Sequence, residues 1–217
     1  MSLIDLSELR FFLKAVSINA GKVVDTLVDR YNQLLQLKPE QARDVYFGIG
    51  RDLEKKGDRP GAIKAYKKVL AELKPDDTEV LFRLGRTYLE SGMAREASEV
   101  FERFTVIESS SPIAWYLLGV ACFSIEEPAK AEGAFKEAIG LDSGYAEAYY
   151  KLGLIYDGRA DFDKAIEMYQ KTIALKPDFV KAYQSIGLTY EGKGMREEAV
   201  KYFKKSIELD EKKLQYK

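Results

Sequence analysis

Residues 112–145 read PIAWYLLGVACFSIEEPAKAEGAFKEAIGLDSGY, and the same arrangement of residue types returns along the chain. With Pro112 as position one, Trp115 is position four, Leu118 seven, Gly119 eight, Cys122 eleven, Ala131 twenty and Phe135 twenty-four. Frames opened at Arg43, Thr78, Pro112, Ala146 and Val180 put five copies in register, separated by one interval of 35 residues and three of 34. Position eight is glycine in every copy (Gly50, Gly85, Gly119, Gly153, Gly187) and position twenty is alanine (Ala62, Ala97, Ala131, Ala165, Ala199). Position twenty-four is aromatic throughout (Tyr66, Phe101, Phe135, Tyr169, Phe203). Self-similarity at a fixed interval of this length is the mark of a stacked repeat architecture.

Positions four, seven, eight and eleven share one face of a first helix; positions twenty, twenty-four and twenty-seven share one face of a second. Glycine and alanine let the two helices approach, and the large residues fill the space around them. One such hairpin cannot bury its own apolar surface, so the copies must stack. The pattern resembles the tetratricopeptide repeat (TPR), a helix–turn–helix unit of about 34 residues. The resemblance covers residues 43 to about 213. It implies an all-α fold, a right-handed TPR superhelix or α-solenoid, with five repeats at 43–77, 78–111, 112–145, 146–179 and 180–213. First helices would line its concave face and second helices its convex face.

Residues 1–42 match the repeat poorly but read as two helices. Leu6, Leu9, Leu13 and Val16 form one stripe with Phe12 beside it, and Val24, Leu27, Tyr31, Leu34 and Leu35 form a second. Counting back from Pro39 puts Tyr31 at the aromatic position, while Ala15 and Leu27 replace the glycine and alanine. The hairpin is either a degenerate sixth repeat or a simple cap, since end repeats are atypical. The first repeat is expected to pair helices over about 43–56 and 59–73, and its extra residue precedes Thr78. Turns are expected at Gly57-Asp58, Ser91-Gly92, Glu126-Glu127-Pro128, Asp157-Gly158-Arg159 and Gly192-Lys193-Gly194. The last helix should end toward Lys213, leaving 214–217 as a fraying tail.

Composition removes several function classes. Thirty-four Lys and Arg against 35 Asp and Glu give a net charge of −1, with no strongly basic stretch for nucleic acid. The chain has no histidine and one cysteine, so the commonest general base and metal ligand is missing and no internal disulfide can form. Cys122 falls at an apolar repeat position and reads as a packing residue. The longest uncharged run, Ser109 to Ile125, contains serines and a proline and follows the repeat phase, so it reads as a buried helix rather than a membrane span. Nothing at the start reads as a secretory signal. Carboxylate pairs such as Glu126-Glu127 and Glu197-Glu198 read as solvated surface, and Gly192-Lys193-Gly194 lacks phosphate-loop spacing. No catalytic residue, no metal site and no cofactor is expected.

Binding remains. In TPR proteins the concave groove is lined by first-helix positions two, five, nine, twelve and thirteen. Carried over, the resemblance assigns Asp44, Phe47, Arg51, Glu54 and Lys55 from repeat one. It assigns Glu79, Phe82, Arg86, Leu89 and Glu90 from repeat two, and Ile113, Tyr116, Val120, Phe123 and Ser124 from repeat three. Repeat four contributes Glu147, Tyr150, Leu154 and Asp157; repeat five contributes Lys181, Gln184, Leu188 and Glu191. Phe47, Phe82, Tyr116 and Tyr150 would form an aromatic ladder at position five, either as an apolar anchor strip or as padding between repeats. Repeat three, with Ile113, Tyr116, Val120 and Phe123, is the expected apolar centre. Arg51 and Arg86 beside it are expected to hold a carboxylate or a polar side chain. The lysine and asparagine with which chaperone-tail binders clamp a terminal carboxylate at positions five and nine are absent, so an amphipathic or extended segment with apolar anchors fits better.

Within the family, the layout is similar to the magnetosome-associated group. The likeness rests on the leading hairpin, Arg43-Asp44-Val45-Tyr46 entering the first good repeat, five repeats, and the ending Phe203-Lys204-Lys205 with Glu208-Leu209-Asp210-Glu211. That resemblance implies a non-enzymatic cytoplasmic scaffold that self-assembles and coats the cytosolic side of the magnetosome membrane through protein contacts. The self-assembly element it implies is the N-terminal hairpin, with Leu9, Phe12, Leu13, Val16, Val24, Leu27 and Tyr31 as its contact residues. Its partners would be further copies of itself and other proteins. The alternative is a monomeric adaptor or co-chaperone that takes a foreign peptide or helix in the same groove.

Overall fold

The computed structural model describes residues 38–215. The hairpin read over residues 1–42, with its stripe residues Leu9 to Tyr31, lies outside the described residues apart from its last five positions. Among the described residues every regular element is helical. Helices α1 (Pro39–Lys55), α2 (Arg59–Lys68), α3 (Thr78–Glu90) and α4 (Ala94–Ile107) belong to one compact unit, which among the described residues spans 38–108. Helices α5 (Pro112–Ser124), α6 (Pro128–Leu141), α7 (Ala146–Gly158), α8 (Phe162–Leu175), α9 (Val180–Gly192) and α10 (Arg196–Gln215) belong to a second, which among the described residues spans 109–215.

Within every repeat the glycine at position eight faces the ring at position twenty-four. A methyl group added at Gly50 would stand 2.3 Å from Tyr66; at Gly119 it would stand 2.5 Å from Phe135, and at Gly153 2.3 Å from Tyr169. Those distances are far inside van der Waals contact, so only glycine lets the ring close over the first helix. Tyr66, Phe101, Phe135 and Tyr169 are fully buried, and so are Ala62, Ala97, Ala131 and Ala165. These layers form the core of each hairpin. Cys122 packs there, buried and free of any disulfide.

Positions three and ten carry the contact with the preceding repeat and are small or β-branched. Val80, Ala148, Ala182, Thr87, Ile155 and Thr189 are all at most 3 % exposed. In α1 the same two positions are Val45, half-buried, and Asp52, exposed. At the other end, Val200 and Ile207 of α10 are 49 % and 56 % exposed, whereas their counterparts Ile166 and Leu70 are buried. No described helix follows α10 to cover them.

Several boundaries differ from the expected ones. Helix α1 begins at Pro39, four residues before the repeat frame, because proline suits the first turn and Ala42 finds a buried place. The extra residue of repeat one is absorbed inside its second helix: Val69–Leu73 is a π-helical turn, and the Lys74 N–H donates to the Val69 carbonyl at 2.8 Å. A π-bulge is the usual way a helix accommodates one inserted residue. The turns between helices share one feature that the sequence reading did not extract. Position fifteen is left-handed in all five repeats, at Gly57, Gly92, Glu126, Ala160 and Gly194. Asp157, Gly158 and Gly192, expected in turns, are still helical. The last helix continues to Gln215, two residues into the expected tail.

Candidate interaction surface

In the first unit the groove-forming positions are drawn into an ion-pair cluster. The Arg43 guanidinium donates to both carboxylate oxygens of Asp77, at 2.7 and 3.0 Å, and to Glu79 and Asp44 at 3.1 Å each. Asp77 is 2 % exposed and also caps α3 by accepting the Val80 N–H. Burial works against its charge, but Arg43, the Val80 N–H and Lys74 hold its carboxyl below the usual range. Arg43 is correspondingly pushed up, above all by its bond to Asp77. The clamp ties the first turn of α1 to the start of α3. Asp44 and Glu79, expected to line a groove, are thus partly committed to structure.

Phe47, expected either as an apolar anchor or as padding between repeats, is buried, 6 % exposed. Its ring lies 6.0 Å from Tyr66 and is covered by the guanidinium groups of Arg43, Arg83 and Arg51 at 4.5, 5.6 and 5.9 Å. Stacking of this kind suits the weakly hydrated guanidinium. Arg51 therefore faces its own ring. Arg86, half-exposed, makes a long contact with Glu90 at 3.4 Å. Beside it lies an open hollow of about 340 Å³ lined by Thr78, Glu79, Phe82, Arg83, Arg86, Phe104 and Glu108. Phe82 is half-buried, packed on Phe101 and Phe104 at 6.1 and 5.7 Å.

The second unit is more apolar. Tyr116 packs on Phe135 and Tyr145 at 5.8 and 5.0 Å, and Tyr150 on Tyr169 and Phe179 at 5.7 and 5.0 Å. Tyr116 and Tyr150 thus rest on the core ring of their own hairpin and are half-buried. Ile113 and Leu188 are 46 % and 58 % exposed; Val120, Phe123 and Leu154 are half-buried. Glu147 is ion-paired with Lys176, while Lys181 and Gln184 are exposed.

Sequence reasoning passed over position six. There Arg83 donates to Glu54 at 3.1 Å, and Glu54 also accepts the Thr87 hydroxyl at 2.8 Å. In repeat four the position holds Lys151, half-buried, with its ammonium 5.5 Å from the Phe123 ring centre. Burial lowers the pKa of Lys151, and the charge of Lys181 lowers it further. A cation at position six in repeats two and four was visible in the sequence, but it is not among the groove positions carried over from the family.

Among the described residues there is no cluster of three or more potential metal ligands, and no helix is long and apolar enough to cross a membrane.

Profiles of the tetratricopeptide repeat match residues 47–105, 82–146, 146–179 and 180–213. The chain belongs to the tetratricopeptide repeat family, and its fold is an all-α TPR solenoid built to hold other proteins or peptides. Within that family it is similar to MamA. One crystal structure of MamA is 50 % identical, covering 82 % of this chain and 97 % of that one with a TM-score of 0.77. A second is 53 % identical, covering 77 % and 98 % with a TM-score of 0.75. The BBSome complex member bbs-4 of Caenorhabditis elegans is 45 % identical over 62 residues. That match takes in 28 % of this chain and only 13 % of the length of bbs-4.

Proposed function

We propose that this protein is a self-assembling scaffold, in which the N-terminal segment of one copy docks on the first-helix surface of the next. The observation that carries this reading is the apolar surface of the second unit around Ile113, Val120, Phe123 and Leu188. Ile113 and Leu188 are large apolar side chains left about half exposed, and such surface is what a protein contact covers. Similarity to MamA supports placing the scaffold among the magnetosome-associated proteins, as a coat on the cytosolic face of that membrane held by protein contacts. Head-to-tail contacts between different surfaces need not close, so the assembly can grow.

The test is the assembly size of Ile113→Asp with Phe123→Ala in the full chain, by multi-angle light scattering. Tyr116 is left intact because its ring also packs on Phe135 and Tyr145. The variant should lose the large species while keeping its helicity. Unchanged assemblies with an intact fold would take this surface out of the account. A parent chain that stays monomeric would favour the adaptor reading, with a foreign segment in the same place.

A further inference from the structure

Position six of repeats two and four holds a cation, and the two cations meet different surroundings. Arg83 lies 5.6 Å from the Phe47 ring centre and donates to Glu54, at position twelve of repeat one. Lys151 lies 5.5 Å from the Phe123 ring centre, and Phe123 is itself position twelve of repeat three, so a ring stands where the acid would be. Two acids of the same helix are engaged elsewhere, Glu147 with Lys176 and Asp157 with the Thr189 hydroxyl. Among the described residues the half-buried Lys151 ammonium makes no ion pair and no hydrogen bond, and the charge that acts on it is that of Lys181 on α9. Three other lysines of this unit have the opposite setting. Lys136, Lys164 and Lys176 donate to the carboxylates of Glu132, Asp161 and Glu147, and those bonds raise their pKa. Burial, and after it Lys181, lowers that of Lys151. An amine is a nucleophile only without its proton, and a lysine desolvated beside a second cation gives that proton up most readily.

We propose that Lys151 is an N-acylation site for acyl phosphates, small anionic donors of which acetyl phosphate is the simplest, and that Lys181 draws the donor in. The Lys151 Nζ attacks the carbonyl carbon of the donor. A C–N bond forms, the bond from that carbon to the phosphate oxygen breaks, inorganic phosphate leaves, and the surplus proton of the amine passes to the phosphate or to water. The exposed ammonium of Lys181 attracts the phosphate end of the donor and then the leaving phosphate. The Phe123 ring offers the acyl methyl group an apolar face. The product is a neutral amide over an aromatic ring, so the modification removes the half-buried charge that the fold leaves without an acid. The site does not depend on the self-assembly reading above.

The experiment treats the full chain with acetyl phosphate near neutral pH and reads the initial rate of acetylation at each lysine by peptide mass spectrometry. Lys151 should react about tenfold or more faster than Lys136, Lys164 and Lys176, and ahead of Lys181 itself. In the urea-unfolded chain the same lysines should react within about twofold of one another, because the fold makes the difference. Lys181 is exposed, so Lys181→Gln keeps the fold. It should slow Lys151 about threefold or more with acetyl phosphate, and by less with an uncharged reagent, the N-hydroxysuccinimide ester of acetic acid. A Lys151 rate equal to those of the ion-paired lysines, or a preference that survives unfolding, would overturn the site. An unchanged Lys151 rate in Lys181→Gln would overturn the part given to Lys181.

Discussion

Two junctions between neighbouring repeats, one in each unit, solve the same packing problem with opposite chemistry. Between repeats one and two the four corresponding positions are Tyr66, Glu54, Arg83 and Thr87. Between repeats three and four they are Phe135, Phe123, Lys151 and Ile155. The first junction is a small polar network: Glu54 accepts from Arg83 and Thr87, and Arg83 also caps the Phe47 ring. Tyr66 is buried beside this acid, and burial, with Glu54 adding to it, pushes its hydroxyl pKa up. The second is apolar except for one ammonium that the fold leaves unanswered. The repeat frame dictates where two helices meet but not whether the meeting is polar. A junction complete in itself has little to offer a partner, whereas one with a missing acid does.

The frame common to both junctions is the glycine under the ring. Gly50→Ala and Gly119→Ala should each cost about 3 kcal/mol or more in urea unfolding, because the ring has nowhere to move in a close-packed layer. A cost at only one of them would mean that the two hairpins are not built alike. Next in size is the exchange of rings. Phe135→Tyr puts a hydroxyl, by register, beside Phe123 and Ile155 and should cost about 1–3 kcal/mol. Tyr66→Phe should be within about 0.5 kcal/mol of the parent, since the Tyr66 hydroxyl makes no hydrogen bond among the described residues. Equal costs would erase the distinction drawn between the junctions.

Smaller effects sharpen it. The turn of repeat one has Gly57 in the left-handed region at φ 78°, and that of repeat three has Glu126 there at φ 61°. Glu126→Gly should gain about 0.5–1 kcal/mol and raise the melting temperature, while Gly57→Ala should lose a similar amount. Position twenty-one is Ile63 in repeat one and Glu132 in repeat three. Lys136, with Arg159 and Tyr156, holds the Glu132 carboxyl at about 2, against the opposing effect of burial. Its folded pKa is depressed, so its contribution is whole above about pH 4.5 and is lost as pH falls toward 2. Its partners are half-exposed, which limits that contribution to about 1 kcal/mol. Acid unfolding of Glu132→Gln should lack this component; an unchanged acid profile would remove the ion pairs from the account.

Most of the fold was legible because its determinants are periodic. Gly50 and Tyr66 recur as Gly153 and Tyr169, and sterics leave no other way to close such a hairpin. The π-helical turn at Val69–Leu73 was visible only as a 35-residue interval, since an inserted residue does not announce where the helix will absorb it. The left-handed residue at position fifteen was written in Gly57, Gly92 and Gly194 but hidden by Glu126 and Ala160. The interaction surface was less legible. Phe47 was legible as an anchor or as padding, but not as a ring covered by Arg43 and Arg51, one helical turn to either side, and by Arg83 of the next repeat. Lys151 was missed because its meaning lies in what position twelve of repeat three lacks, and a single repeat read by itself shows no gap.

The central claim is that the chain assembles through its N-terminal segment. Light-scattering mass across a concentration series tests it most directly, on the full chain and on a version beginning at Lys38, the residue that precedes α1. The account predicts large, concentration-dependent species for the full chain and monomers for the shortened one. Monomers from both, or equal assemblies from both, would contradict it.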